Sequence, residues 1–332
     1  MRDRELLAVS FGTSYQETRE KTIGAIERRM ADRFPDLDVR RCFTSRMIRR
    51  KLLERDGLRI EGPEEAIRRA AEKGIAELTV QPLYLMHGTG HRRLTEILQA
   101  YRADFTGIAV GKPLLTDERD FRILADAVLR HLPAADEKTA VVLMGHGTPV
   151  RRKNGEQKPE GRTEGDPPSE TTEDNGKKIP ASGRAEDNGK EIPASGTAED
   201  NEKGNPASGK TDDPAGLAEA ALRDNAVFRI LQQTFREKGA EHCFVATVEG
   251  ELPPEKILPQ IREQGFDRIV LAPFMIAAGG HALHDLAGEG EDSWKNLFLR
   301  EGFEVETVLE GIGAWEEVQD LFADHAAEAE LL

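Results

Sequence analysis

The chain has 332 residues, two cysteines and a net charge of −15, and no basic stripe offsets that acidity. This argues against a nucleic-acid partner. No run of about 18 apolar residues occurs, so no membrane span is expected; residues 1–5 lead straight into a strand-like run without an h-region, so no signal peptide is expected, and Cys42 and Cys243 read as buried free thiols of a cytoplasmic protein.

Short β-rich runs alternate with longer amphipathic segments. Strands are predicted at 5–10, 38–43, 77–86, 106–110, 139–145, 242–249, 268–276 and 303–309, and helices at 15–34, 45–56, 63–74, 91–103, 117–131, 216–238, 253–264, 292–301 and 313–329. Gly74–Val80 and Gly265–Leu271 share one signature, a helix stopped at glycine and followed by a buried strand. The alternation predicts an α/β fold with two similar lobes, each a parallel sheet flanked by helices. The expected division is 1–131 for the first lobe, 132–315 for the second and 316–332 for a C-terminal helix packing back across the first lobe.

Residues 151–214 stand apart. They contain no Phe, Trp, Tyr, Leu, Val or Met, and they carry three 13-residue units, Glu173–Ala185, Glu186–Ala198 and Glu199–Thr211. Such a segment buries too little apolar surface to offset its ordering entropy. It reads as a disordered low-complexity insertion within the second lobe, and the helix after it resumes around Asp224–Phe228.

The lobes echo one another. Leu83-Tyr84-Leu85-Met86-His87-Gly88-Thr89-Gly90-His91 is matched by Pro273-Phe274-Met275-Ile276-Ala277-Ala278-Gly279-Gly280-His281, and Leu6–Thr13 is matched by Val141–Thr148. Ligands of such folds collect at the carboxyl ends of the strands. His146, between Gly145 and Gly147, Glu249, before Gly250, and His281, after Gly279-Gly280, are the candidates there, with His284 a helical neighbour of His281 at metal-ligand spacing. Two imidazoles and a carboxylate suit Co²⁺, Fe²⁺, Ni²⁺ or Zn²⁺ without choosing among them. Ser10-Phe11-Gly12-Thr13-Ser14 is a candidate anion loop at a helix N-terminus; plain N-capping by Thr13 or Ser14 is the alternative. It lacks the Gly-Lys-Ser/Thr and G-x-G-x-x-G endings of nucleotide loops. Arg46, opening the basic stretch Arg46–Lys51, is a candidate for binding carboxylates.

Six stretches follow one another in a family order: Leu7–Ser14, Phe43–Ile48, Met144–Gly147, Val248–Gly250, Ala278–Ala282 and Glu291–Lys295. Through them the chain resembles the anaerobic sirohydrochlorin cobaltochelatases of the CbiK type, class II chelatases with a two-lobed ferrochelatase-like fold. The resemblance implies a lyase-class metal chelatase that inserts Co²⁺ into sirohydrochlorin on the oxygen-independent route to cobalamin. It implies His146 as proton acceptor and metal ligand, Glu249 and His281 as further ligands, no tightly bound cofactor, and Co²⁺ as substrate. A neutral imidazole can take a proton near pH 7 and can also hold a metal, and open metal positions let ring nitrogens displace protein ligands. The carboxylate-rich substrate suits the loop at Ser10–Ser14 and Arg46. The chain departs from the family in its insertion and at Thr89-Gly90-His91, where members often carry an acidic residue; His87 or His91 can stand in there.

Three other readings remain open: an iron or nickel chelatase acting on a related tetrapyrrole, a metal or tetrapyrrole carrier without turnover, and a two-lobed binding-protein-like sensor, against which the missing signal peptide counts. A homo-oligomer is compatible with the sequence.

Overall fold

The computed structural model describes residues 3–132, 134, 136–148 and 214–332, with side chains from Asn225 onward in the last stretch. The repeat units of the expected insertion lie outside the described residues.

Among the described residues, nine strands form two sheets. The first contains β1 (Arg4–Ser10), β2 (Asp38–Phe43), β3 (Glu77–Pro82), β4 (Gly107–Val110) and β9 (Glu330–Leu331), in the order β2-β1-β3-β4-β9. The second contains β5 (Thr139–Gly145), β6 (Cys243–Thr247), β7 (Arg268–Pro273) and β8 (Glu304–Thr307), in the order β6-β5-β7-β8. All pairings are parallel except that of β9, which joins β4 antiparallel. The first four strands of each sheet therefore share one topology, and in each the chain reverses its direction of winding at the central strand, β1 or β5.

Alternating side chains along the strands divide between faces. Leu6 and Ala8 of β1 join Val141 and Leu143 of β5, Val245 of β6 and Val270 of β7 in one apolar cluster. Between the sheets this cluster takes in α2 (Ile23–Arg33), α6 (Glu118–His131), α7 (Pro214–Glu237) and α10 (Glu316–Ala327), through Ile26, Phe121, Phe228 and Phe322 among others. The opposite face of the first sheet, with Leu7, Val9 and Val80, is covered by α4 (Pro63–Glu72) and α5 (Thr89–Ala100). The opposite face of the second, with Val142, Phe244 and Leu271, is covered by α8 (Leu258–Glu263) and α9 (Trp294–Arg300).

Several boundaries differ from the sequence expectation, each for a local reason. The predicted helix 15–34 divides into α1 (Gln16–Lys21) and α2, because Thr22 leaves helical geometry and its hydroxyl donates to Thr18 O at 2.7 Å. The helix expected over 253–264 starts as a single tight turn, Pro254–Lys256, and α8 follows with Pro259 in its first turn, where a missing N–H costs nothing. The strands expected to reach 86 and 276 stop at Pro82 and Pro273, which cannot donate to a ladder. The tail 316–332 is not all helix: α10 ends at Ala327, and β9 closes the edge of the first sheet, with Leu332 N–H donating to Ile108 O at 2.8 Å.

Helix α10 packs on α2 and α6. A buried ion pair anchors it, with His325 Nε2 3.2 Å from Asp120 Oδ1. Asp120 Oδ2 also accepts the N–H groups of Thr116 and Asp117 at the start of α6. Burial opposes ionisation of this carboxyl, but the hydrogen bonds from His325 and the two backbone donors outweigh it and hold its pKa below the usual range. Asp120→Ala is expected to lower stability by about 3 kcal/mol at pH 7, read by urea unfolding. A depressed carboxyl pKa stabilises the fold above the unfolded-state value near 4 and loses that contribution as pH falls through the folded value, so the difference between wild type and variant should shrink in acid. A difference that persists unchanged to about pH 3 would assign the effect to packing instead.

Candidate active site

At the carboxyl ends of β5 and β6 the ladder runs one step beyond the strands. Gly145 pairs with Thr247, Val248 N–H donates to Gly145 O at 2.9 Å, and Glu249 N–H donates to His146 O at 2.8 Å. His146 and Glu249 thus leave adjacent strands at one level. Gly147 permits this approach: its φ is +76°, and a Cβ there would lie 1.9 Å from Glu249 O. In the first lobe Gly12 takes the matching position after β1, also with positive φ, and Phe11 stands where His146 stands in the second.

His281 arrives from the third strand by a longer route. It lies well past Pro273, at the start of a π-helical turn, Ala282–Leu286, and so is not at a strand end as expected. The wider turn brings i+4 rather than i+3 to its ring: Asp285 Oδ2 lies 2.5 Å from His281 Nδ1. The expected His281–His284 ligand spacing is therefore not the one the turn creates, and His284 points to solvent as an exposed residue.

The rings of His146 and His281 meet edge to face with centroids 4.7 Å apart. His146 Nδ1 lies 4.0 Å from Glu249 Oε2, with the side chains 47% and 43% exposed, respectively. His146 Nδ1 is 3.0 Å from Gly147 O. A carbonyl only accepts, which assigns the proton to Nδ1 and leaves a lone pair on Nε2. By the same logic His281 Nδ1–H donates to Asp285 Oδ2, which leaves the lone pair of that ring on Nε2, in the manner of carboxylates that orient metal-binding histidines. Among the described residues no three His, Cys, Asp or Glu side chains form a ready-made metal cage. The cluster is open, with two imidazoles and a carboxylate side by side. At this exposure the Glu249–His146 attraction is worth no more than about 1 kcal/mol, so the carboxylate serves better as a ligand than as electrostatic support for a base.

Glu251, the near neighbour of Glu249, is engaged elsewhere by an ion pair with Arg229 of α7. The cysteines take no part: both are buried, and burial raises both thiols, Cys243 to about 12, so they keep their protons at neutral pH.

The first-lobe candidates lie differently. The anion loop is mostly closed, with Ser10, Thr13 and Ser14 buried and Phe11 62% exposed. Neither Thr13 nor Ser14 is an N-cap. Tyr15 holds that position in α1, its N–H donating to Thr13 Oγ1 at 3.3 Å, and Ser14 O accepts from Arg55 at 2.6 Å. The loop nonetheless reaches the second lobe, since a Cβ on Gly279 would sit 3.7 Å from Thr13 Oγ1. Arg46 is the exposed first residue of α3 (Arg46–Asp56), whose N-cap Ser45 accepts from Ile48 N–H; it lines an open groove of about 490 Å³ with Met47, Arg50, Lys51 and Glu54. His87 and His91 form a pair of their own, with centroids 4.7 Å apart and His87 Nε2 3.0 Å from Thr116 Oγ1. Burial, then the neighbouring His87 and Arg92, lowers the pKa of His91 to about 4, so this ring is neutral at pH 7.

Asp285 was not anticipated from the sequence, although its signal, a carboxylate four residues after a histidine in a helical turn, was present. The stretch Glu291–Lys295 proves structural: Ser293 caps α9, Trp294 is buried, and Asn296 donates to Glu289 O and Gly290 O at 3.0 and 2.9 Å.

Fold and site together define a two-lobed α/β protein with an open histidine–carboxylate cluster at the strand ends of one lobe. The Cobalt chelatase (CbiK) family model matches residues 4–155 and 219–330, breaking across the expected insertion, and the chain belongs to this family. It is 28% identical to the sirohydrochlorin cobaltochelatase of Salmonella typhimurium, over 98% of this chain and 96% of that one. It is 25% identical to sirohydrochlorin cobaltochelatase CbiKC of Nitratidesulfovibrio vulgaris, over 99% and 91%. Among solved structures, SirB from Bacillus subtilis with Fe³⁺ shares the fold, with a TM-score of 0.53, 14% identity and coverage of 98% and 94%.

Gly147 and Gly265 both have positive φ, but a Cβ at Gly265 would meet nothing within 4 Å. Gly265→Ala should cost about 1 kcal/mol, and Gly147→Ala about 2 kcal/mol more, by chemical denaturation. Equal costs would mean that the close approach to Glu249 is unimportant.

Proposed function

We propose that this chain is a sirohydrochlorin cobaltochelatase, inserting Co²⁺ into sirohydrochlorin with loss of two pyrrole protons. Family membership carries the reaction class, and the single observation that carries the mechanism is the open cluster of His146, Glu249 and His281. Exchanging two N–H protons for one Co²⁺ leaves the charge of the macrocycle core unchanged. The obstacles are therefore kinetic: two weakly acidic protons must leave, and the ion must shed water. Glu249, His281 and His146 hold the ion without enclosing it, so the ring nitrogens replace them one at a time. Once displaced from the ion, His146 Nε2 accepts the two pyrrole protons in turn and passes each to solvent. The metal is a substrate rather than a resident cofactor. Phe11, exposed on the facing loop, offers an apolar contact for the macrocycle, and Arg46 offers a cation for its carboxylates. Unpaired buried cysteines support a reducing, cytoplasmic setting.

Under anaerobic conditions, absorbance changes on adding Co²⁺ to sirohydrochlorin and the purified protein should show catalysed insertion, and His146→Ala should abolish it while leaving tetrapyrrole binding intact. Loss of binding and insertion together would favour a carrier, and faster insertion of Fe²⁺ or Ni²⁺ than of Co²⁺ would favour the other chelatase readings. Asp285→Asn should reduce metal affinity or turnover about 10- to 100-fold by releasing the His281 ring; unchanged values would remove Asp285 from the mechanism.

A further inference from the structure

Asn225 is buried, 1% exposed, on α7, and nothing in the chelation chemistry calls for it directly. Its side chain makes a two-point contact with one residue 77 positions earlier. Thr148 N–H donates to Asn225 Oδ1 at 2.8 Å, and Asn225 Nδ2 donates to Thr148 O at 2.8 Å. One carboxamide thus satisfies both backbone groups of Thr148, as a neighbouring strand would. The turn after Glu249 packs on the same amide: a Cβ on Gly250, whose φ is +103°, would lie 2.7 Å from Asn225 Nδ2 and 3.0 Å from Thr148 O. Asn225 is therefore wedged between the turn leaving His146 and the turn leaving Glu249, which are already joined by the bond from Glu249 N–H to His146 O.

The wedge answers a specific weakness. His146 is flanked by Gly145 and Gly147, and glycines restrain a backbone least. A base and a ligand that must meet the same substrate need their spacing held to about 0.5 Å. We propose that Asn225 is a positioning residue for the chelation reaction: it ties the His146 turn to the Glu249 turn and so sets the spacing of base and carboxylate. The assignment rests on the chelatase reading above. Asparagine suits the place because it alone combines a donor and an acceptor at this length. Aspartate would set a carboxylate oxygen against the Thr148 carbonyl, and an apolar residue would leave both Thr148 groups unpaired in a buried place.

The test uses the full-length protein carrying Asn225→Asp, which is isosteric, and Asn225→Ser, which is smaller and leaves room for water. Circular dichroism and thermal midpoints establish folding. Anaerobic steady-state assays then separate kcat from KM for sirohydrochlorin, and the visible ligand-field absorption of Co²⁺ titrated into the protein alone reports the histidine environment. Expected for a folded variant are a kcat at least 10-fold lower, a sirohydrochlorin KM within 2-fold of wild type, and an altered Co²⁺ spectrum. The assignment is overturned by a folded variant whose kcat stays within 2-fold of wild type, by a fall in kcat that only tracks the unfolded fraction, or by failure of both variants to fold, which would make Asn225 structural. Failure of the wild-type protein to insert any metal would instead defeat the chelatase reading itself.

Discussion

The architecture depends on one buried layer. Helices α2, α6, α7 and α10 lie between the two sheets, and a single apolar cluster runs from Leu6 and Ala8 on one side to Leu143 and Val245 on the other. Because that layer is shared, the lobes are not independent bodies joined by a hinge. The β1–α1 loop is carried against the segment leading to His281, with Thr13 next to Gly279. The chain end returns from the second lobe to add β9 to the first sheet, and the buried His325–Asp120 pair fastens α10 on the way.

On this frame the two lobes repeat one topology but divide the labour. Gly12 and Gly147 fill corresponding positions with the same left-handed backbone, yet Phe11 precedes one and His146 the other. The first lobe presents an exposed phenyl ring and a basic helix start, and the second presents two imidazoles and a carboxylate.

The candidate site is open at its face and tight behind it. The rings of His146 and His281 each donate a hydrogen bond from Nδ1 to an oxygen, Gly147 O and Asp285 Oδ2, so both present Nε2. His146, Glu249 and His281 stand close together without closing a cage. Behind them the backbone is pinned by ladder bonds beyond the strand ends and by glycines whose missing Cβ atoms make room for carbonyls.

Much of this was legible in the sequence because it is local. Apolar runs, glycine stops and the repeated Gly-His patterns placed the strands, the two-lobe fold and the trio His146, Glu249 and His281. The exact strand ends were less legible, because Pro82 and Pro273 cut short runs that remain apolar beyond them. The burial of Ser10, Thr13 and Ser14 and the strand at Glu330–Leu331 could not be read, because each depends on what a distant segment brings alongside, the packed loop or the free edge of β4. The pairing of His281 with Asp285 rather than His284 is local, but it turns on a π-helical turn that the apolar and glycine pattern does not mark. The chain by itself therefore determined which residue types stand at the strand ends, since periodicity and glycine placement are properties of neighbouring positions. Which nitrogen each histidine presents is set locally, by Gly147 O and Asp285. Only the tertiary structure decided how far apart their functional atoms lie, because those distances follow from hydrogen bonds and close contacts between segments far apart in sequence, such as that from Glu249 N–H to His146 O.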